Sequence, residues 1–141
     1  VCFVSGGIYP VLAGVDIPFV GGAEVQQTIV ARALARLGHR ITVITSDYGV
    51  ADTVTPDGIR IVHLRPLAGR GIRGLSRIHP RMTDVVAKLR KVAPDVVYFR
   101  CAGSMLLACA WYARRYRKKA IFAAAHDSDF LPGRIHGLER H

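Results

Sequence analysis

Gly21-Gly22-Ala23-Glu24-Val25-Gln26-Gln27 is the stretch on which the fold turns. The apolar run Val1 to Val4 precedes it, with a loop up to the paired glycines. From Ala23 the residues Ile29, Val30, Ala33, Leu34 and Leu37 recur at helical spacing. Gly38-His39 ends that helix, and Ile41 to Thr45 reads as a second strand. The segment is therefore strand, glycine-bearing loop, helix, strand. Paired glycines let a ligand approach the backbone because no Cβ stands in the way. A helix start adds free N–H groups and a positive dipole end, which suit phosphate or a sugar hydroxyl.

The pattern repeats outward from this unit. Gly58 to Leu64 reads as a third strand after the turn Pro56-Asp57-Gly58. Residues 78–92 read as a helix with Ile78, Met82, Val85, Val86, Leu89 and Val92 on one face, ended by Pro94. Asp95 to Phe99 is a strand, Ser104 to Arg117 a helix and Ala120 to Ala125 a strand. Strands alternate with helices, and the later strands are continuous apolar runs. That predicts an α/β fold, a doubly wound parallel sheet covered on both faces, with strand order 3-2-1-4-5. Gly21, Gly22 and His126 all follow carboxyl ends of strands and are expected at one edge of that sheet.

The 141 residues fit one domain, large enough to bury roughly 68–70% of its unfolded surface. Half of the residues are apolar, which excludes a disordered chain. No apolar run approaches the length of a transmembrane helix. Val1-Cys2-Phe3-Val4 carries neither initiator Met nor basic leader, so the chain reads as one that starts inside its first strand and is truncated at both ends. Cys2, Cys101 and Cys109 lack CxxC spacing and read as buried free thiols of a reducing compartment.

Gly21-Gly22-Ala23-Glu24 and Leu34-Ala35-Arg36-Leu37-Gly38-His39-Arg40-Ile41-Thr42-Val43-Ile44-Thr45 together resemble the amino-terminal half of a retaining glycosyltransferase of the two-domain GT-B type, family 4 (group 1). Pro94-Asp95-Val96-Val97-Tyr98 resembles that family's entry to its fourth strand, and Ile121 to Ala125 with His126-Asp127 its strand and histidine loop. The resemblance runs from Val1 to about Phe130, carried by the order and spacing of the segments. It implies a Rossmann-like, acceptor-side domain, with a nucleotide-sugar domain following it that binds most of the nucleotide. The activity implied is sugar transfer from a nucleotide-sugar donor to a hydroxyl of a lipid or polysaccharide precursor, with retention and without metal or other cofactor. This chain alone is then expected to be inactive.

On that resemblance His126 lies beside the transferred sugar and orients it, with no protein nucleophile. Asp127 contacts the acceptor hydroxyl or His126, while Gly21 and Gly22 approach the donor. The plain reading of the glycines is helix-start geometry, that of His126 a loop cap, and Glu24 in the first turn is sufficiently explained by the helix dipole. Asp127-Ser128-Asp129 spells DxD, but such metal sites belong to a different fold. Gly69-Arg70-Gly71-Ile72-Arg73-Gly74 matches GxGxxG, yet it follows the third strand instead of the first, and Asp95 stands at the wrong end of its strand. It reads as a basic loop on the acceptor side. An NAD(P)-binding Rossmann domain remains the enzymatic alternative.

Charge is uneven. From Arg65 to Lys119 there are 14 Lys or Arg against two acids, Asp84 and Asp95, a balance of +12 in a chain whose total is +10. Arg65, Arg70, Arg73, Arg77 and Arg81, then Lys88, Arg90 and Lys91, fall in one set; Arg114, Arg115, Arg117, Lys118 and Lys119 close the later helix. Cations suit a helix C-terminus, which accounts for part of the second set. The first is too dense for that and points to an anionic partner: a membrane surface or a phosphate-bearing acceptor. A non-enzymatic membrane-binding module is the alternative in that class. Nucleic acid is disfavoured, since neither an aromatic-studded basic strand nor a recognition-helix pattern appears. The expected location is the cytoplasm, peripheral on the inner face of the cell membrane.

Overall fold

The computed structural model describes residues 1–15, 21–66, 77–100 and 104–124. Six strands are described: β1 (Cys2–Val4), β2 (Thr42–Thr45), β3 (Thr53–Val54), β4 (Arg60–His63), β5 (Val96–Arg100) and β6 (Lys119–Ala123). The helices are α1 (Tyr9–Ala13), α2 (Gly22–Arg36), α3 (Thr83–Val92) and α4 (Ser104–Tyr116). They form one sheet in the order β3-β4-β2-β1-β5-β6, parallel except for the β3–β4 pair. The five parallel strands stand in the expected order, and β3 adds a two-residue antiparallel edge that the sequence reading lacked.

Alternation along each strand sends neighbours to opposite faces. Phe3, Val43, Ile61 and Tyr98 lie in register across four strands and pack with Ile8, Leu12 and Ala31 of the α1–α2 side. Val4, Ile44, Val62 and Phe99 form the next row and pack with Val85 and Leu89 of α3 and Ala108, Cys109 and Tyr112 of α4. Two apolar layers thus sandwich the sheet, the doubly wound arrangement.

Three expectations need correction. The segment between β1 and α2 is not loop throughout: α1 begins with Pro10 near its start, buries Pro10 and Leu12, and ends at Gly14 in the left-handed conformation. Proline is tolerated there because the first helical N–H groups have no partner anyway.

Second, α2 does not bury the face read from its large apolar residues. Gln27, Thr28 and Ala31 are buried, while Ile29 and Leu37 are 61% and 74% exposed. Val30 and Leu34 reach the core at its margin.

Third, residues 78–92 are not one regular helix. A π-helical turn, Arg77–Met82, contains Pro80 and precedes α3. Proline has no N–H for the i→i−4 ladder and its ring crowds the carbonyl four residues back, so the turn widens. Ala93, not Pro94, ends α3, in the left-handed conformation with its N–H bonded to the Leu89 carbonyl at 2.8 Å. Met82, Val85, Val86, Leu89 and Val92 of the predicted face do meet the core.

Candidate functional site

The carboxyl ends of the parallel strands all open on the same rim of the sheet. Gly6-Gly7 follow β1, Ser46, Asp47 and Tyr48 follow β2, Leu64 to Pro66 follow β4, and the amino end of α2 arrives beside them. In open α/β sheets this rim is where ligands bind.

The Gly6 carbonyl ties the first two loops together. It accepts from the Ser46 N–H at 3.2 Å, the Thr45 hydroxyl at 3.1 Å and the Tyr48 hydroxyl at 3.2 Å. The Tyr48 ring lies 5.1 Å from that of Tyr9, which meets the buried His63 ring edge-on at 5.0 Å. Asp52 Oδ1 accepts the His63 backbone N–H at 2.8 Å and lies 3.6 Å from its Nδ1. These aromatic rings wall one side of the rim. Burial and the nearby Glu24 carboxylate push the Tyr48 phenol up from its usual 10.0, so it stays a donor to Gly6.

Gly21 is the N-cap of α2 in extended conformation, and Gly22 is its first residue. Glu24 folds back over this helix start and lies against the Cα of both Gly21 and Gly7. A Cβ at Gly7 would stand 3.1 Å from Glu24 Oε1, and one at Gly21 would collide with Oε2. The dipole of α2 favours the carboxylate there. A Cβ on Gly22 would meet nothing within 4 Å, so that glycine faces open space.

A cavity of about 270 Å³ lies between β2, β4 and the π turn, lined by Ser46, Asp47, Leu64, Arg65, Pro66, Pro80, Arg81 and Asp84. Arg81 reaches across it to donate from Nη2 to Ser46 Oγ at 3.4 Å. Asp84, nearly fully buried, accepts the Arg65 N–H at 2.7 Å through Oδ2 and lies 3.6 Å from Arg65 Nε through Oδ1. Sequence reading missed Ser46 and Tyr48, which lie just beyond a strand and were within reach. Arg81 was counted in the first basic set for an anionic partner, but its aim at Ser46 could not be read, because it depends on the π turn.

Of the residues singled out beforehand, Gly21 and Gly22 stand at this rim. His126, Asp127, Arg70, Arg73 and the GxGxxG segment lie outside the described residues, as does the side chain of Arg77. Arg114 and Arg115 occupy the last turn of α4. Lys118 lies 3.6 Å from Asp95 Oδ1, and Lys119 opens the exposed edge strand β6. Among the described residues no cluster of His, Cys, Asp and Glu is arranged to hold a metal ion. Cys2 and Cys109 are free and buried, as read from sequence; Cys101 is outside the described residues.

No curated protein matches the chain. A family model, Glycosyltransferase Family 4, matches residues 20–141, from the paired glycines through the last strand and beyond. With that match over most of its length, and with the Rossmann-like α/β sheet that the family's domain carries, the chain belongs to glycosyltransferase family 4.

Proposed function

We propose that this protein supplies the acceptor side of an enzyme that moves a sugar from a nucleotide-sugar donor to a hydroxyl of a lipid or polysaccharide precursor. The family membership carries the reading. The ligand-accessible rim at the carboxyl ends of the strands supports it. The nucleotide is held mostly by a second domain, and Gly21 and Gly22 approach the donor when the two close. Transfer proceeds with retention on one face of the sugar: the acceptor oxygen bonds to the anomeric carbon as the bond to the diphosphate breaks. The acceptor proton passes to the departing diphosphate oxygen. His126 orients the sugar, Asp127 the acceptor hydroxyl, and no metal takes part. Donors from both sides of the cleft stabilise the leaving diphosphate, so this domain alone is inactive.

The acceptor side faces an anionic membrane surface in this reading. Leu107 and Trp111, both more than half exposed, share one face of α4 with Arg114 and Arg115, at helical spacings of four and seven or eight. Arg115 covers the Tyr116 ring at 5.5 Å. An amphipathic pairing of Trp and Leu with arginines suits a headgroup interface. Among the described residues no helix is long and apolar enough to cross a membrane.

The test is transfer of label from a panel of nucleotide sugars to lipid and glycan acceptors by the two-domain enzyme, with the anomeric configuration of the product read by NMR. Retained configuration and full activity in chelator are expected. An inverted product, or no transfer from any donor, would sink the reading.

A further inference from the structure

We infer that the cavity closed by Arg81 binds an anionic group, a phosphate ester, carried by the acceptor. This rests on the acceptor-side reading above and narrows it. The charges lining the cavity are Asp47, Arg65, Arg81 and Asp84. Both oxygens of Asp84 are directed at Arg65, one at its backbone N–H and one at its guanidinium. Asp47 Oδ1 accepts the Gly49 N–H at 2.9 Å and is exposed to water. Arg81 has no such partner: among the described residues no carboxylate lies within ion-pair distance of it, and its one hydrogen bond is the long contact to Ser46 Oγ. Among the described residues, a half-buried guanidinium that holds a neutral hydroxyl at 3.4 Å keeps most of its donor fork free for a planar or tetrahedral oxyanion.

The surroundings are shaped for such a group. Gly6 stands beside the Arg81–Ser46 contact without a side chain: a Cβ there would stand 3.0 Å from Ser46 Oγ, 3.3 Å from Met105 Cε and 3.5 Å from Arg81 Nη2. Glycine at this position leaves the guanidinium and the hydroxyl converging on the same point. Ser46 Oγ accepts from Arg81 and, among the described residues, donates its proton to no other group, which leaves it for an anion oxygen. The π turn that aims Arg81 is a distortion that recurs at functional sites. The volume, about 270 Å³, is just below the ~300–1,000 Å³ of small-molecule sites and suits a headgroup more than a long glycan. The phosphate ester comes from a soluble sugar phosphate or a phospholipid headgroup, which share this chemistry.

The experiment titrates the isotope-labelled chain with inorganic phosphate, glucose 6-phosphate, glucose, and vesicles of phosphatidylglycerol or phosphatidylcholine, following amide and guanidinium signals by NMR. Phosphate and glucose 6-phosphate should shift Gly6, Ser46 and Arg81, with glucose at least tenfold weaker. Arg81→Gln should weaken glucose 6-phosphate about tenfold or more, the scale of one charge-assisted hydrogen bond, and Arg81→Lys should recover part of it. Displacement of glucose 6-phosphate by phosphatidylglycerol vesicles assigns the lipid source; indifference to them assigns the soluble one. Glucose binding as tightly as its phosphate, or shifts confined to the Arg114–Lys119 segment, would overturn the inference. Should Arg81→Gln fail to fold, the shift map of the unaltered chain decides alone. An Arg81-centred phosphate response in a protein that transfers no sugar would keep this site and remove the transferase reading; transfer to neutral acceptors without any phosphate response would do the reverse.

Discussion

Glu24 lies against Gly7 across the mouth of the first loop, its Oε1 3.1 Å from where a side chain on that glycine would begin. The carboxylate occupies the helix start that the sequence offers to an anion, and it separates the two adjacent glycines by what they tolerate. Gly21→Ala drives a Cβ into the carboxylate and dislodges it, so thermal unfolding should show a loss of roughly 1 kcal/mol, the combined scale of a helix cap and its dipole partner. Gly22→Ala enters open space at a helical position and should be neutral, or stabilising by a few tenths of a kcal/mol. If Gly22 approaches the donor, the same variant weakens donor binding in the two-domain enzyme while its melting temperature holds. Equal donor affinity would return Gly22 to a purely local role.

His126 follows the end of β6 by three residues in sequence. Its replacement by alanine should lower turnover on the order of 10²–10³-fold, the cost of one positioned polar contact to developing charge. Calorimetry should find the melting temperature kept. A variant that turns over normally, or one that no longer folds, makes this histidine structural.

The buried thiols set an alkaline limit. Burial raises the Cys109 pKa from 9.0 to about 12, and raises that of Cys2 further, through burial first and then the neighbouring Cys109. Above pH 9 the unfolded chain releases these protons while the folded one keeps them. The stabilisation is therefore complete below about pH 9 and is lost as pH climbs toward 12. Urea midpoints should decline across that window, and Cys2→Ala with Cys109→Ala should flatten the decline. A midpoint that is level from pH 8 to 10.5 in the unaltered chain would mean the thiols are less enclosed than this.

Replacing Arg114, Arg115, Lys118 and Lys119 by Ser should weaken sedimentation with anionic vesicles by several kcal/mol, at ~1 kcal/mol for each cation near the surface. Lys118 should contribute least, since Asp95 already holds it. Added salt near ~0.5 M should mimic the substitution by shortening the Debye length below 10 Å. Equal sedimentation with neutral vesicles would give the basic face another task.

The strand order was legible because the parallel strands are short, mostly apolar runs separated by helical patterns and turn residues, and right-handed crossovers leave few ways to arrange five of them. The α2 face was not, because Gln27 and Thr28 take the buried positions. The Gln27 amide donates to Ser5 Oγ at 3.4 Å beneath the end of β1, a polar anchor that a hydrophobic pattern cannot reveal. Ile29 is thereby turned outward. The cavity was illegible for a related reason: Arg81 and Ser46 are 35 positions apart and meet through a widened turn around Pro80. In sequence, Arg81 was one basic residue among many.

The three donors converging on the Gly6 carbonyl leave that peptide no second orientation, because a flip would strand two hydroxyls and an amide at once. The mouth of the site is thus rigid at its centre before any ligand arrives. A molecule settling there orders little that folding has not ordered already, so its affinity is diminished less by lost chain freedom than it would be on a loose loop. The same rigidity makes the rim selective by shape: a ligand must fit the gap between the first two loops as it stands, since neither can retreat without the other.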